Sequence, residues 1–269
     1  MFRGFDITLP NYSKDANIYN KEFYDIGSKM LSENKIAVKD ALDNLVLRDG
    51  TLDGDKMQEQ WFPQAEADVF ISHSHKNEET ALVLAGKLYK DFKIKSFIDS
   101  TVWGYSGELL RQIDTIHCTK DKPNLYDYDL RNLSTSHVYL MLSGALSKMI
   151  DNTECVFFLN TPESIQPEKV INSTLSPWIY SEILTTQIIN KKPPASHSRR
   201  KNLVKLYSEG GQVMINESFA MTRKVELGHL AKINIQKCFY ADWLKEARKD
   251  SFKLDALYRM YPEEENLNG

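Results

Sequence analysis

The chain has 269 residues, 42% of them apolar and 26% charged, with a net charge of −3 at pH 7. That length buries a real core, in one large domain or one domain with an appended piece, and the slightly acidic balance gives no electrostatic case for binding nucleic acid or an anionic membrane surface. No apolar run approaches the roughly 20 residues of a membrane helix, and the first residues lack the charged-then-apolar layout of a signal peptide. Cys118, Cys155 and Cys238 are sparse and lack metal-ligand spacing, so a reducing cytoplasm is the expected location.

Residues 1–65 read as a separate, mostly polar N-terminal arm. Helices are expected over 15–31 and 36–47, with turns at Asp49-Gly50 and Asp53-Gly54. Trp61-Phe62-Pro63 is an apolar patch that docks this arm onto the body, which runs from 66 to 269. Val69-Phe70-Ile71 is a short continuous apolar run, as in a parallel strand buried on both faces. A polar turn follows, then a helix over 78–92 with acidic residues in its first turn and a stripe of Leu82, Ala85, Leu88, Tyr89 and Phe92. A second strand over 95–98 completes a βαβ unit, which closes into an open parallel sheet.

Further along, 107–117 reads as helix, followed by an irregular insertion around 117–136 and a helix over 137–150. Residues 155–159, opened by Cys155, form an entirely apolar third strand, and 177–189 the next helix, with Pro177 at an acceptable early position. Lys191-Lys192 and Arg199-Arg200-Lys201 lie in a Pro/Ser-rich stretch read as a solvated loop. Weaker strands are expected at 213–215 and 233–235, and closing helices at 238–248 and 252–261. The alternation predicts a doubly wound, flavodoxin-like parallel α/β domain over residues 67 to about 250.

In such sheets ligands bind beyond the carboxyl ends of the strands. The first strand ends in Ser72-His73-Ser74, the second in Asp99-Ser100 and the third in Asn160-Thr161, which together suggest a polar pocket. His73 and His75 lack a third metal ligand nearby, and no phosphate-cradling glycine loop is present. Trp103, in the loop after the second strand, either stacks on a purine or plugs the sheet edge. On the helix over 177–189, Trp178 and Glu182 lie about 40° apart on one face at 100° per residue. Ile179, Ile183 and Ile189 share that arc, while Leu184 and Ile188 leave no clean polar face opposite, so Glu182 is a carboxylate in an apolar setting. Burial raises the pKa of such a group, and groups of this kind cluster at functional sites; the alternative is a structural partner such as Arg111 or Lys148.

These residues resemble TIR (Toll/interleukin-1 receptor) domains. Asp68-Val69-Phe70-Ile71-Ser72-His73-Ser74 is similar to their first strand and loop, Phe97-Ile98-Asp99-Ser100 with Trp103-Gly104 to their second, and Trp178 with Glu182 to their Trp-x-x-x-Glu motif. The resemblance covers roughly 67–240, and the layout is most similar to stand-alone bacterial TIR enzymes, including those of Thoeris-type antiphage systems. It implies cleavage of the nicotinamide–ribose bond of NAD, by hydrolysis or cyclisation, with NAD as substrate and neither cofactor nor metal. Glu182 would be the catalytic carboxylate. Ser72, His73, Asp99, Ser100, Trp103, Trp178 and Ser181 would bind substrate, Trp178 near the nicotinamide and Trp103 near the adenine. Self-association and a separate effector answering to the product are further implications. A non-catalytic TIR interaction module and a nucleoside-cleaving transferase on a similar fold are the competing readings.

Overall fold

The computed structural model describes residues 1–8, 21–32, 51–103, 106–120, 125–165, 173–174, 176–197, 223–235 and 239–262. Its strands in chain order are β1 (Arg3–Thr8), β2 (Val69–Ser72), β3 (Ser96–Phe97), β4 (Cys155–Asn160), β5 (Ser173–Thr174), β6 (Arg223–Lys224) and β7 (Ala231–Asn234). β5 and β6 make a small antiparallel pair, and the rest form one sheet in the order β3-β2-β4-β1-β7 with every neighbouring pair parallel. The helices are α1 (Lys21–Ser32), α2 (Gly54–Trp61), α3 (Glu78–Phe92), α4 (Asp99–Val102), α5 (Ser106–His117), α6 (Tyr128–Asn152), α7 (Pro177–Ile188), α8 (Phe239–Glu246) and α9 (Lys253–Met260). This is a flavodoxin-like α/β architecture, a parallel sheet flanked by helices.

The N-terminal segment is not the separate arm its composition suggested. β1 lies inside the sheet, with Arg3–Thr8 paired to Cys155–Asn160 of β4 on one side and Phe5–Thr8 to Ala231–Asn234 of β7 on the other. Phe5 and Ile7 are buried on the face that also carries Arg3, while the opposite face carries Gly4, Asp6 and Thr8, so the segment reads as a half-polar strand instead of the continuous apolar run of a central parallel strand. α1 then packs along α3 at backbone distance: a Cβ on Gly86 would fall 1.8 Å from the Phe23 carbonyl oxygen, and one on Gly27 2.1 Å from that of Leu82. Of the expected helix over 15–31, only the part from Lys21 onward lies within the described residues, and the expected 36–47 helix lies outside them. Asp53-Gly54 opens α2 instead of making a free turn, because the Asp53 carboxylate caps the Lys56 amide at 3.1 Å. Trp61 and Phe62 are buried, as expected of a docking patch.

α3 has the bounds read from the sequence, and β4 runs one residue further than expected, to Asn160. α6 is longer by nine residues at its start than the expected 137–150 helix. Asp127 caps it, accepting from the Asp129 and Leu130 amides at 3.0 and 3.1 Å, so much of the supposed irregular insertion is the first turns of this helix. The expected strand at 213–215 lies outside the described residues, whereas that at 233–235 is β7. The closing helices pack onto the β1 side: the Tyr258 hydroxyl donates to Glu154 at 2.8 Å, and Trp243 stacks on Phe92 of α3 at 4.0 Å. Among the described residues no helix is long and apolar enough to cross a membrane.

Candidate active site

Successive connections carry the chain from β2 outward to β3 and then back past β2 to β4, so the strand order reverses between β2 and β4. That reversal opens a crevice at the strands' carboxyl ends, where ligands of such sheets bind. α7 lies over this part of the sheet. Ser176 caps it, accepting from the Ile179 amide at 3.3 Å, and Pro177 fits its first turn because no amide hydrogen is needed there. Ile179 and Ile183 pack with Phe158 of β4, which fixes the rotation of the helix and turns Glu182 inward, 4% exposed.

Glu182 meets Ser72, the last residue of β2, whose hydroxyl donates to its carboxylate at 2.5 Å. That distance is typical of a hydrogen bond to an ionised oxygen. Burial drives the Glu182 carboxyl well above its ordinary pKa, the negative charge of Asp99 drives it further up, and the Ser72 hydrogen bond opposes both. Asp99, half-buried at the start of α4, acts on His73 as well. Burial pushes the His73 ring below the ordinary histidine range, Asp99 pulls it up and His75 pushes it down, and burial dominates. His73 is therefore a neutral ring, 7% exposed, with Nε2 3.5 Å from the Ser100 hydroxyl. Its Nδ1 is buried without a hydrogen-bond partner among the described residues. Ser72, His73, Asp99, Ser100 and Glu182 thus form one electrostatically linked group on β2, α4 and α7.

The remaining expected residues stand apart from this group. Trp103 is 7% exposed, its Nε1 donates to the Pro63 carbonyl at 2.7 Å, and its ring packs edge-on against Phe97 and Phe62. It is a plug joining the segment before β2 to the sheet edge, and the expectation that it stacks on a purine is corrected: its ring is already covered. Trp178 is half-buried and meets Tyr139 of α6 edge-on, with ring centroids 5.3 Å apart. Ser181 also faces α6, its hydroxyl 3.5 Å from that of Ser143. The Glu182 hydrogen bond goes to Ser72 and not to Arg111, which pairs with Glu108 at 3.0 Å.

Sequence reasoning missed Asn77, buried just before α3. It accepts from the Thr161 hydroxyl at 2.6 Å, and Ser164 lies 3.1 Å from the same hydroxyl, so the loops after β2 and β4 are tied together across the crevice. Asparagine at a helix start is too common to single out in advance. Among the described residues no group of three or more His, Cys, Asp or Glu side chains is placed to hold a metal ion.

A buried carboxyl backed by a hydroxyl, with a neutral imidazole and a second carboxylate nearby, suits stabilisation of positive charge developing on a bound ligand. The fold and site define an α/β protein of flavodoxin-like architecture with a buried, acidic side-chain cluster at its switch point. Comparison of the chain with protein-family profiles, with curated proteins and with solved structures gives no match.

Proposed function

We propose that this chain is a TIR-type enzyme that cleaves the bond between nicotinamide and ribose in NAD, and that Glu182 is its catalytic carboxylate. The observation that carries the reading is the Ser72–Glu182 pair, a carboxyl buried under α7 at the switch point and held by a hydroxyl from the first of the resembling strands. Cleavage passes through an oxocarbenium-like state, whose positive charge a fixed carboxylate stabilises. Burial and Asp99 raise the pKa of Glu182, and the pyridinium charge of bound NAD acts in the opposite direction by favouring the ionised carboxylate. Ser72, His73, Asp99 and Ser100 meet the ribose and phosphates, and Trp178 with Ser181 borders the nicotinamide side. Water capture yields ADP-ribose, and capture by a nucleophile within the same molecule yields a cyclic product, which a closed pocket favours.

The exposed apolar side chains Leu133 and Leu140 on α6 and Ile188 on α7 support self-association, which completes the site in the resembling enzymes. In this reading the protein works in the cytoplasm as an antiphage signal producer acting on a separate effector. The test is incubation of purified protein with NAD, wild type beside Glu182→Gln, over a wide range of protein concentration with products resolved by mass spectrometry. Nicotinamide release that needs Glu182 and rises more than linearly with concentration is the expected result. Release unaffected by Glu182→Gln overturns the assignment, and release of base from free nucleosides in preference to NAD favours the transferase reading.

A further inference from the structure

A cavity of about 330 Å³ lies outside the Glu182 group, where the end of α1 passes the first turn of α3. The two helices run antiparallel, since Phe23 lies beside Gly86 and Gly27 beside Leu82. Their backbones touch at those glycines, and beyond them the helices face each other across the cavity with polar side chains. α1 contributes Tyr24, Ser28 and Ser32, spaced one turn apart, and α3 contributes Glu78 and Glu79. Leu82 and Thr101 of α4 complete the wall. Packed helices ordinarily meet through apolar stripes, so the packing of α1 on α3 does not call for these hydroxyls and carboxylates.

Glutamates in the first turn of a helix stabilise its dipole wherever they occur, so Glu78 and Glu79 alone say nothing of a ligand. Thr101 supplies the second observation. It is 7% exposed, and its Oγ1 is buried with no hydrogen-bond partner among the described residues. A helical threonine commonly returns its hydroxyl to a carbonyl of the preceding turn; this one lines the cavity and leaves the bond unmade. The chemistry of the wall selects the occupant. Two carboxylates repel an anion in spite of the helix start beside them. Among the described residues no group of three or more His, Cys, Asp or Glu is placed to hold a metal ion. An alkylammonium carries donors and no acceptor, which matches carboxylates and hydroxyls, and its methylene stem suits Leu82 and the Tyr24 ring. At the ~30 Å³ that a water occupies, the cavity holds roughly ten non-hydrogen atoms.

We propose that this cavity binds a short linear polyamine, whose ammonium groups donate to Glu78, Glu79 and the hydroxyls of Ser28, Ser32 and Thr101 while its methylenes lie along Leu82 and Tyr24. The site is separate from the Glu182 group and does not rest on the NAD reading. It adjoins that group through α4: Thr101 directly follows Ser100, whose hydroxyl lies 3.5 Å from His73.

The experiment titrates the full chain with spermidine by calorimetry, beside ribose as a neutral ligand of similar size, in wild type, Glu79→Gln, Thr101→Val and Glu66→Gln. Glu66 is an exposed carboxylate outside the cavity wall, so its variant makes the same change of charge elsewhere. Spermidine is expected to bind wild type at one site per chain. Glu79→Gln weakens it about tenfold, the worth of one charge-assisted hydrogen bond. Thr101→Val weakens it several-fold and yet raises the melting temperature of the free protein, because it removes an unpartnered buried hydroxyl. Glu66→Gln leaves the affinity unchanged. Absence of saturable binding, an equal loss in Glu66→Gln (diffuse attraction to an acidic surface), or tighter binding of ribose than of spermidine overturns the proposal. A lowered melting temperature or a failure to fold in Thr101→Val overturns it as well, since the hydroxyl would then serve the fold and not a ligand.

Discussion

Ser72→Ala isolates the interaction on which the site turns. The substitution removes one hydroxyl from a fully buried position and leaves the Glu182 carboxyl without the group that donates to it at 2.5 Å. A hydrogen bond to an ionised group is worth about 1.5–3 kcal/mol, or roughly 10- to 150-fold in an equilibrium or rate that needs the ion. The direction follows from the opposing causes at Glu182: burial and Asp99 raise its pKa, and Ser72 lowers it. Removing Ser72 therefore raises the pKa further. The acid limb of kcat/KM for NAD moves to higher pH, and activity near neutral falls by the factor above. A second readout does not depend on catalysis. Because the folded pKa exceeds the unfolded one, Glu182 adds no penalty at low pH, where it is protonated in both states. A penalty appears as pH rises through the ordinary carboxylate value, grows until the folded pKa is reached, and is then constant. Ser72→Ala enlarges that penalty, so its melting temperature falls further below wild type in alkaline than in acid buffer. An unshifted acid limb together with a pH-independent loss of stability would refute the coupling of Ser72 to Glu182.

By the same linkage, Glu182→Gln removes the penalty altogether: its melting temperature equals or exceeds that of wild type, by a margin that widens with rising pH, as a pH series of thermal melts would show. Gly86→Ala forces apart helices that touch through their backbones, since the new Cβ would lie 1.8 Å from the Phe23 carbonyl oxygen. Overpacking of this kind costs about 1–3 kcal/mol, partly offset by about 1 kcal/mol of helix propensity; a lowered urea midpoint is expected, and a raised one would show that α1 gives way freely. Trp103→Phe loses the hydrogen bond to Pro63 and lowers stability by about 1–2 kcal/mol, yet leaves KM for NAD unchanged, because the ring is packed between Phe62 and Phe97. A several-fold rise in KM with unchanged stability would restore Trp103 to the site.

The parts of the fold legible in the sequence are those whose burial is uniform along an element. α3 carries a continuous stripe, β4 is apolar from Cys155 to Leu159, and Ser176-Pro177 marks the start of α7, so each was bounded to within a residue or so. Glu182 stood out because its helix has no polar face for it to occupy. Its partner did not, since Ser72 lies 110 residues away and any strand-end serine looks alike. β1 was missed for the opposite reason: half of its side chains are polar, and a polar residue within a central strand is a local conflict that burial alone does not predict. α6 was read short because Tyr128, Leu130 and Leu133 are exposed on it, so its first turns lack the amphipathic pattern that marks a packed helix.

The conflict in β1 ties fold and site together. In the flavodoxin-like order the strand beyond the switch point follows directly from the chain that crosses it, but here that fourth place belongs to the first strand of the sequence. The sheet face beneath α7 is consequently assembled from both ends of the described chain, with Ser72 and Phe158 on one side and Asp6, Thr8, Lys232 and Asn234 on the other. A strand occupying that place only to complete the sheet would be served best by apolar residues on both faces, and the face turned toward α3 and the C-terminal helices does carry Phe5 and Ile7. The face under α7 carries Asp6, in register with Phe158 and through it with Ser72, the partner of Glu182, and Thr8 one pleat further along. Arg3 shares the face of Phe5 and Ile7 and donates there to the Tyr258 carbonyl at 3.5 Å, so β1 carries buried polar side chains on both faces and its sequence answers to local partners as well as to the sheet.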